Sequence, residues 1–228
     1  MATRQLVTSG AAVLVSAVIV TTGMLMNSPA VQARGDGDDQ ESRIERGFDI
    51  APVPLNLAGK NRALVGLGSY LVNAVADCNG CHSSDPSTEF APAGNPYFGQ
   101  PTTINPSTYL GGGRDFGPFP GPGPFPHIIS RNLTPDRSGL PEGDHTFSEF
   151  VQIMRSGVDM DHLHPTCTGA ANGNCLPPPF DGALLQVMPW PIHHNMTDHD
   201  LRAIYEYLSA IPCIEGPPAP SVLHNDCQ

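Results

Sequence analysis

Basic side chains are scarce in this sequence. Eleven Lys and Arg stand against 22 Asp and Glu, giving a formal net charge of −11 over 228 residues. The shortage argues against a nucleic-acid surface, which needs clustered positive charge to displace counterions. An acidic surface serves solubility or a basic partner instead. Charged residues of both signs together make up only 14%, while Gly (24) and Pro (25) are abundant. Both residues interrupt regular elements, and Pro also removes a backbone donor. The composition therefore predicts one core carrying long loops. There is no internal repeat to suggest a solenoid or an array.

Cysteine is missing around residues 28–34, which excludes a lipid anchor there. The N-terminus otherwise reads as an export signal. Arg4 is the only early charge, Ala11 to Val20 is apolar apart from Ser16, and Val31-Gln32-Ala33 offers a small-residue cleavage site. Residues 1–33 are expected to be a signal peptide and the protein to be periplasmic or otherwise extracytoplasmic. The alternative is a retained membrane anchor. The apolar stretch from Leu6 to Met26 approaches a bilayer span but is weakened by Thr8, Ser9, Gly10, Thr21, Thr22 and Gly23.

Residues 34–60 form an acidic leader, expected to be mobile. The folded domain is expected at 61–212, with a Pro-rich tail at 213–228 that wraps the surface. Leu64, Leu67, Leu71 and Val75 predict a first helix over 61–77. Gly66 and Gly68 within it suggest a closely crossing helix. Residues 83–130 show no strong period. The run Phe116 to Pro126 is read as a loop packing its Phe residues on the core, with a polyproline ligand as the alternative. Thr146 and Glu149 form a capping-box pattern for a second helix ending at Gly157. Thr197 caps a last helix whose Leu201, Ile204, Tyr205 and Leu208 share one face, and Pro212 stops it.

Six cysteines are present. Four of them, Cys167, Cys175, Cys213 and Cys227, allow three pairings, of which nearness favours Cys167–Cys175 and Cys213–Cys227. An exported chain permits such bonds.

The other two lie in Cys78-Asn79-Gly80-Cys81-His82. Thiols one helical turn apart can reach the two vinyl groups on one edge of a haem, with the adjacent His beneath the iron. Cys78 and Cys81 are therefore the expected attachment sites and His82 the expected axial ligand of one covalent haem c. A thioredoxin-like redox pair uses the same two cysteines but wants a βαβ setting. Structural zinc needs a second ligand pair, which Cys167 and Cys175 do not supply. Met188, in Val187-Met188-Pro189-Trp190, is the expected sixth ligand. Pro189 stiffens the chain there and Trp190 could wall the crevice. Met160, His193 and His194 are the alternatives. Met160, His162 and His164 could also bind copper, though a solvated loop is the simpler reading. Arg131 and Trp190 are candidate donors to the haem propionates. With both axial positions filled the iron would carry electrons. An open sixth position would instead make a haem enzyme or a gas- or peroxide-binding protein.

These motifs resemble monohaem class I c-type cytochromes, and most of all the cytochrome modules that accept electrons from membrane-bound alcohol and sugar-acid dehydrogenases. The resemblance rests on four segments: Gly68-Ser69-Tyr70-Leu71-Val72 running into the CNGCH motif, Asn132-Leu133-Thr134-Pro135-Asp136, Thr146 to Gly157, and Met188-Pro189-Trp190 with the final helix. It implies an all-α cytochrome c fold with crossed first and last helices, a small residue at Gly66 or Gly68 beneath an aromatic such as Tyr205, and long Pro/Gly-rich loop insertions. It also implies Cys78, Cys81, His82 and Met188 as the haem-binding set. The role would be electron transfer, not catalysis, between a redox donor and acceptor, with a dehydrogenase subunit as one such partner. The segment 83–110, the Cys167–Cys175 region and the Cys-bearing tail depart from that pattern.

Overall fold

The computed structural model describes residues 36–170 and 173–228. The expected signal segment, 1–33, lies outside the described residues. Among those described, no helix is long and apolar enough to cross a membrane.

Two helices expected from the sequence meet at the centre. Helix α2 (Arg62–Tyr70) starts at Asn61, whose side chain accepts from the amides of Ala63 (3.0 Å) and Leu64 (3.2 Å). It runs into a π-helical turn, Leu71–Val75, so the predicted 61–77 helix changes pitch halfway. Helix α7 (Asp198–Leu208) starts at Thr197, whose hydroxyl accepts from the Asp200 amide. The pair packs backbone to backbone. A Cβ on Gly68 would lie 1.9 Å from the Ala203 carbonyl oxygen and 2.7 Å from Tyr207 Cβ. The crossing residue beside Gly68 is thus Tyr207, not Tyr205. Tyr205 turns the other way, edge-on to Phe147 with ring centroids 5.4 Å apart. One position along α7 turns a side chain by about 100°, which is why an expectation off by two residues lands on another face.

The acidic segment expected to be a mobile leader is instead helix α1 (Asp36–Ile50). Ile44 is buried in the core, and a Cβ on Gly47 would lie 1.8 Å from the Gly66 carbonyl oxygen. Ser69 Oγ donates to the Gly47 carbonyl at 2.6 Å. The charges of Gly35-Asp36-Gly37-Asp38-Asp39 hide the sparse apolar stripe that follows. Beyond α1, Val53 is buried and the Asn56 amide donates to the Ala210 carbonyl at 2.8 Å.

The remaining elements are short. Helix α3 (Cys78–His82) carries the CNGCH motif. The Pro/Gly region holds a two-stranded antiparallel hairpin, β1 (Asp115–Pro118) with β2 (His127–Ile129), which qualifies the all-α expectation. Phe119 in its loop meets Phe180 of another loop edge-on at 4.8 Å, Phe116 is exposed, and none of Phe116, Phe119 and Phe125 joins the buried core, so the loop packs against a second loop and not, as expected, on the core. Next come the single turn α4 (Pro141–Asp144) and helix α5 (Phe147–Ser156), which begins with the predicted Thr146–Glu149 capping box. The turn α6 (Trp190–His193) follows Met188. Both favoured disulfides, Cys167–Cys175 and Cys213–Cys227, are present.

Candidate functional site

Helix α3 ends in His82, whose orientation is set from outside the helix. His82 Nδ1 lies 2.8 Å from the Arg131 carbonyl oxygen. A carbonyl can only accept, so Nδ1 carries the proton and Nε2 keeps its lone pair. Burial in apolar surroundings pushes the His82 imidazole down to about 4, so it is neutral at neutral pH. A neutral imidazole with one nitrogen tied to a main-chain oxygen is the usual state of a metal-ligating histidine.

The carbonyl is held in turn. Gly112, in the left-handed region at φ +69°, leaves no room for a side chain, since a Cβ would sit 2.4 Å from the Arg131 carbonyl carbon. The Gly112 amide donates to the His82 carbonyl at 2.8 Å, and Arg114 donates to the Gly80 carbonyl, so the end of α3 is capped by the triple-glycine segment. On the far side, Asn132 Nδ2 donates to the Ile214 carbonyl at 2.7 Å, and its Oδ1 accepts from Thr134. The Asn132-to-Asp136 motif thus ties the His82 partner to the C-terminal tail.

The two thiols of α3 lie one turn apart on a 3.6-residue helix, and among the described cysteines they alone are outside disulfides. Burial, then the charges of Asp77 and Cys81, push the Cys78 thiol up to about 12. It is therefore a thiol rather than a thiolate at neutral pH.

Cys78, Cys81 and His82 border one cleft, and Met188 borders it too. Its walls are mostly apolar, with Leu133, Phe150, Met154, Leu185, Ile204 and Leu208 among them. Met188 follows Val187, a non-glycine at φ +69°, and the Trp190 amide closes a tight turn onto the Met188 carbonyl at 2.9 Å. Trp190 does not line the cleft. Its ring covers Gly157, and its Nε1 donates to the Leu185 carbonyl at 3.2 Å. It braces the Met188 loop from behind and is not free to bind a propionate.

Of the alternatives to Met188, His193 reaches the cleft, whereas Met160 and His194 do not. His194 Nδ1 is instead paired with the Arg155 carbonyl. Met154 and Met196 also line the cleft, as does Glu142. Sequence reading missed all three, because no local pattern distinguishes a cleft-facing Met from a core Met, or a buried Glu from an exposed one. Arg131 lines the cleft as well, but its Nη2 is bound to Asp159 (2.5 Å) and its Nε to Asp161 (2.7 Å).

Among the described residues no group of three or more His, Cys, Asp or Glu is placed to hold a metal ion. A zinc site at Cys78 and Cys81 would need such a group. A haem fits what is present: two free thiols a turn apart, an imidazole with an available lone pair, a thioether on the same cleft and an apolar slot between them.

No family model matches the chain. Comparison with curated proteins finds the gluconate 2-dehydrogenase cytochrome c subunit of Pantoea cypripedii, 30% identical over 149 residues, or 64% of this chain and 23% of that protein. The fructose dehydrogenase cytochrome subunit of Gluconobacter japonicus is 25% identical over 152 residues, 66% of this chain and 22% of that protein. The chain thus spans less than a quarter of the length of these curated relatives. The similarity to dehydrogenase-associated cytochrome c subunits that the sequence motifs suggest is therefore found, at modest identity, over about two thirds of the chain.

Proposed function

We propose that this protein carries single electrons outside the cytoplasm through one haem c, attached by thioethers at Cys78 and Cys81 and ligated by His82 and Met188. It would work as a carrier or as the electron-transfer subunit of a dehydrogenase. The observation that carries the reading is the His82 Nδ1 to Arg131 carbonyl hydrogen bond. It leaves Nε2 free on a cleft that also presents two unpaired thiols and the Met188 thioether. The dehydrogenase partner is suggested by what the two relatives are named for. The extracytoplasmic setting is suggested by the N-terminal segment and the two disulfides.

Bound haem would supply an iron that alternates between two oxidation states. The protein would do the rest. Cys78 and Cys81 keep the group from dissociating. The Arg131 carbonyl holds the His82 ring, and the Met188 loop, braced by Trp190 on Gly157, offers a thioether that favours the reduced state. The mostly apolar walls supply a slot of low polarity around the group.

Expression of the full chain with a haem-maturation system, followed by optical spectra of wild type and Met188→Ala, tests this. The reading expects haem that resists acidic organic extraction, and a weak long-wavelength Met–iron band that the substitution abolishes. A Cys78→Ser/Cys81→Ser double variant should release its haem on extraction. A Met band that survives Met188→Ala would move the ligand to Met154 or Met196. Absence of covalent haem, or rapid carbon monoxide binding to the reduced wild type, would sink the carrier reading.

A further inference from the structure

Glu142 borders the cleft and has no part in the electron transfer proposed above. It is 6% exposed, and its Oε2 has no hydrogen-bond partner. A buried carboxyl is rare unless paired. Nor is it loosely placed: it sits in α4 at φ +53°, behind Pro141, in a turn closed by the His145 amide on the Pro141 carbonyl at 3.2 Å.

The charges around it do not neutralise it. Arg131, from the loop after β2, is already bound to Asp159 and Asp161, from the loop after α5. One guanidinium therefore serves three carboxylates. His82 of α3, His193 of α6 and Asp77 share the cleft, and Asp144 lies on the same turn as Glu142. Burial is the largest influence on the Glu142 carboxyl and pushes it up to about 7. Arg131 pulls it down, and Asp161 and Asp159 push it further up.

We propose that Glu142 is a proton site coupled to the redox centre of this cleft. When the haem iron passes one electron to a one-electron acceptor, the Glu142 carboxyl releases its proton to solvent. When the iron takes an electron from its donor, a proton returns. Charge supplies the reason. Oxidation adds one positive charge to a low-dielectric cleft, which favours a carboxylate there, and the linkage is reciprocal. A proton that stabilises the reduced site raises its potential. This inference rests on the haem reading above.

The test is redox potentiometry of the haem-loaded full chain from about pH 4 to about pH 9, a span bracketing ordinary and raised carboxyl behaviour. The wild-type potential should fall with pH. A tenfold difference in proton affinity between the iron states corresponds to a total fall of ~59 mV. Glu142→Gln should flatten the curve, whereas His193→Gln should retain it. Glu142→Asp, which keeps a carboxyl, should keep the fall with a shifted midpoint, and so serves if Glu142→Gln does not take up haem. The reduced-minus-oxidised infrared spectrum should contain a protonated carboxyl band that Glu142→Gln removes. A potential flat with pH on intact covalent haem would overturn the inference and leave the carrier reading standing. So would a fall that survives in Glu142→Gln, which would assign the proton to the propionates. Failure to form covalent haem would overturn both.

Discussion

The ring of His82 is oriented by a main-chain atom, the carbonyl of Arg131, and that residue's side chain is in turn pinned by Asp159 and Asp161. The two carboxylates differ in burial, with side-chain exposures of 8% for Asp159 and 31% for Asp161. Removing one partner of a buried pair leaves an uncompensated charge, whereas a partly exposed pair contributes little. Asp159→Ala should therefore cost about 3 kcal/mol. Asp161→Ala should cost under about 1 kcal/mol. Urea unfolding of the two variants compares them directly, and equal losses would contradict the assignment.

The contact of Gly68 with Ala203 admits no methyl group. The clashing atom is a main-chain oxygen at 1.9 Å, which cannot swing away as a side chain could. Gly68→Ala should destabilise the protein by about 3 kcal/mol, at the upper end of overpacking costs. Gly37, with nothing within 4 Å of its would-be Cβ, is the control. Gly37→Ala should be neutral or stabilise α1 by about 0.5 kcal/mol. Thermal unfolding would show whether the signs differ.

The Cys213–Cys227 bond spans 14 positions and holds down a tail that supports the segment following Arg131. Asn225 Nδ2 donates to the Thr134 carbonyl at 2.7 Å, and the Asn132 amide donates to the Val222 carbonyl at 2.9 Å. Opening a loop of this size should cost about 3 kcal/mol. The Cys213→Ser/Cys227→Ser variant should unfold at correspondingly lower urea and expose the Asn132 amide to hydrogen exchange. If that amide stays protected, the tail is not what holds the segment.

Glu142 also makes stability depend on pH, with a definite sign. Its folded-state value, about 7, lies above the ordinary carboxyl value of 4.5. Between these the folded chain holds a proton that the unfolded chain has lost. The stability this proton confers is therefore complete below about pH 4.5 and disappears as pH rises through 7. The contribution lost is on the order of 3 kcal/mol. Glu142→Gln should remove that decline, so the wild-type minus variant stability difference should fall between about pH 4.5 and about pH 7. A difference that is flat or rises would refute the raised value.

Much of the local structure was legible because its causes lie within a few residues of each other. The caps at Thr146 and Thr197, the CNGCH motif, the Gly157 stop and the two disulfide pairings all follow from spacing. What stayed hidden depends on partners far apart in the chain. Nothing near Asp36 announces that α1 will find Gly66, and nothing near Tyr207 announces Gly68.

The candidate site divides the same way. Sequence alone determined that two thiols and an imidazole share one turn, because helical geometry acts over four residues whatever surrounds it. It also determined the acidic balance and the stiff Met188 loop. Only the tertiary structure decided which nitrogen of His82 carries the proton, because the deciding carbonyl lies 49 positions away. It alone placed Trp190 behind the cleft, not in its wall, and left a buried Glu142 without a partner for Oε2. A hydrogen bond or a desolvation penalty is set by what packs there, and packing of distant segments is not encoded in any short window of residues.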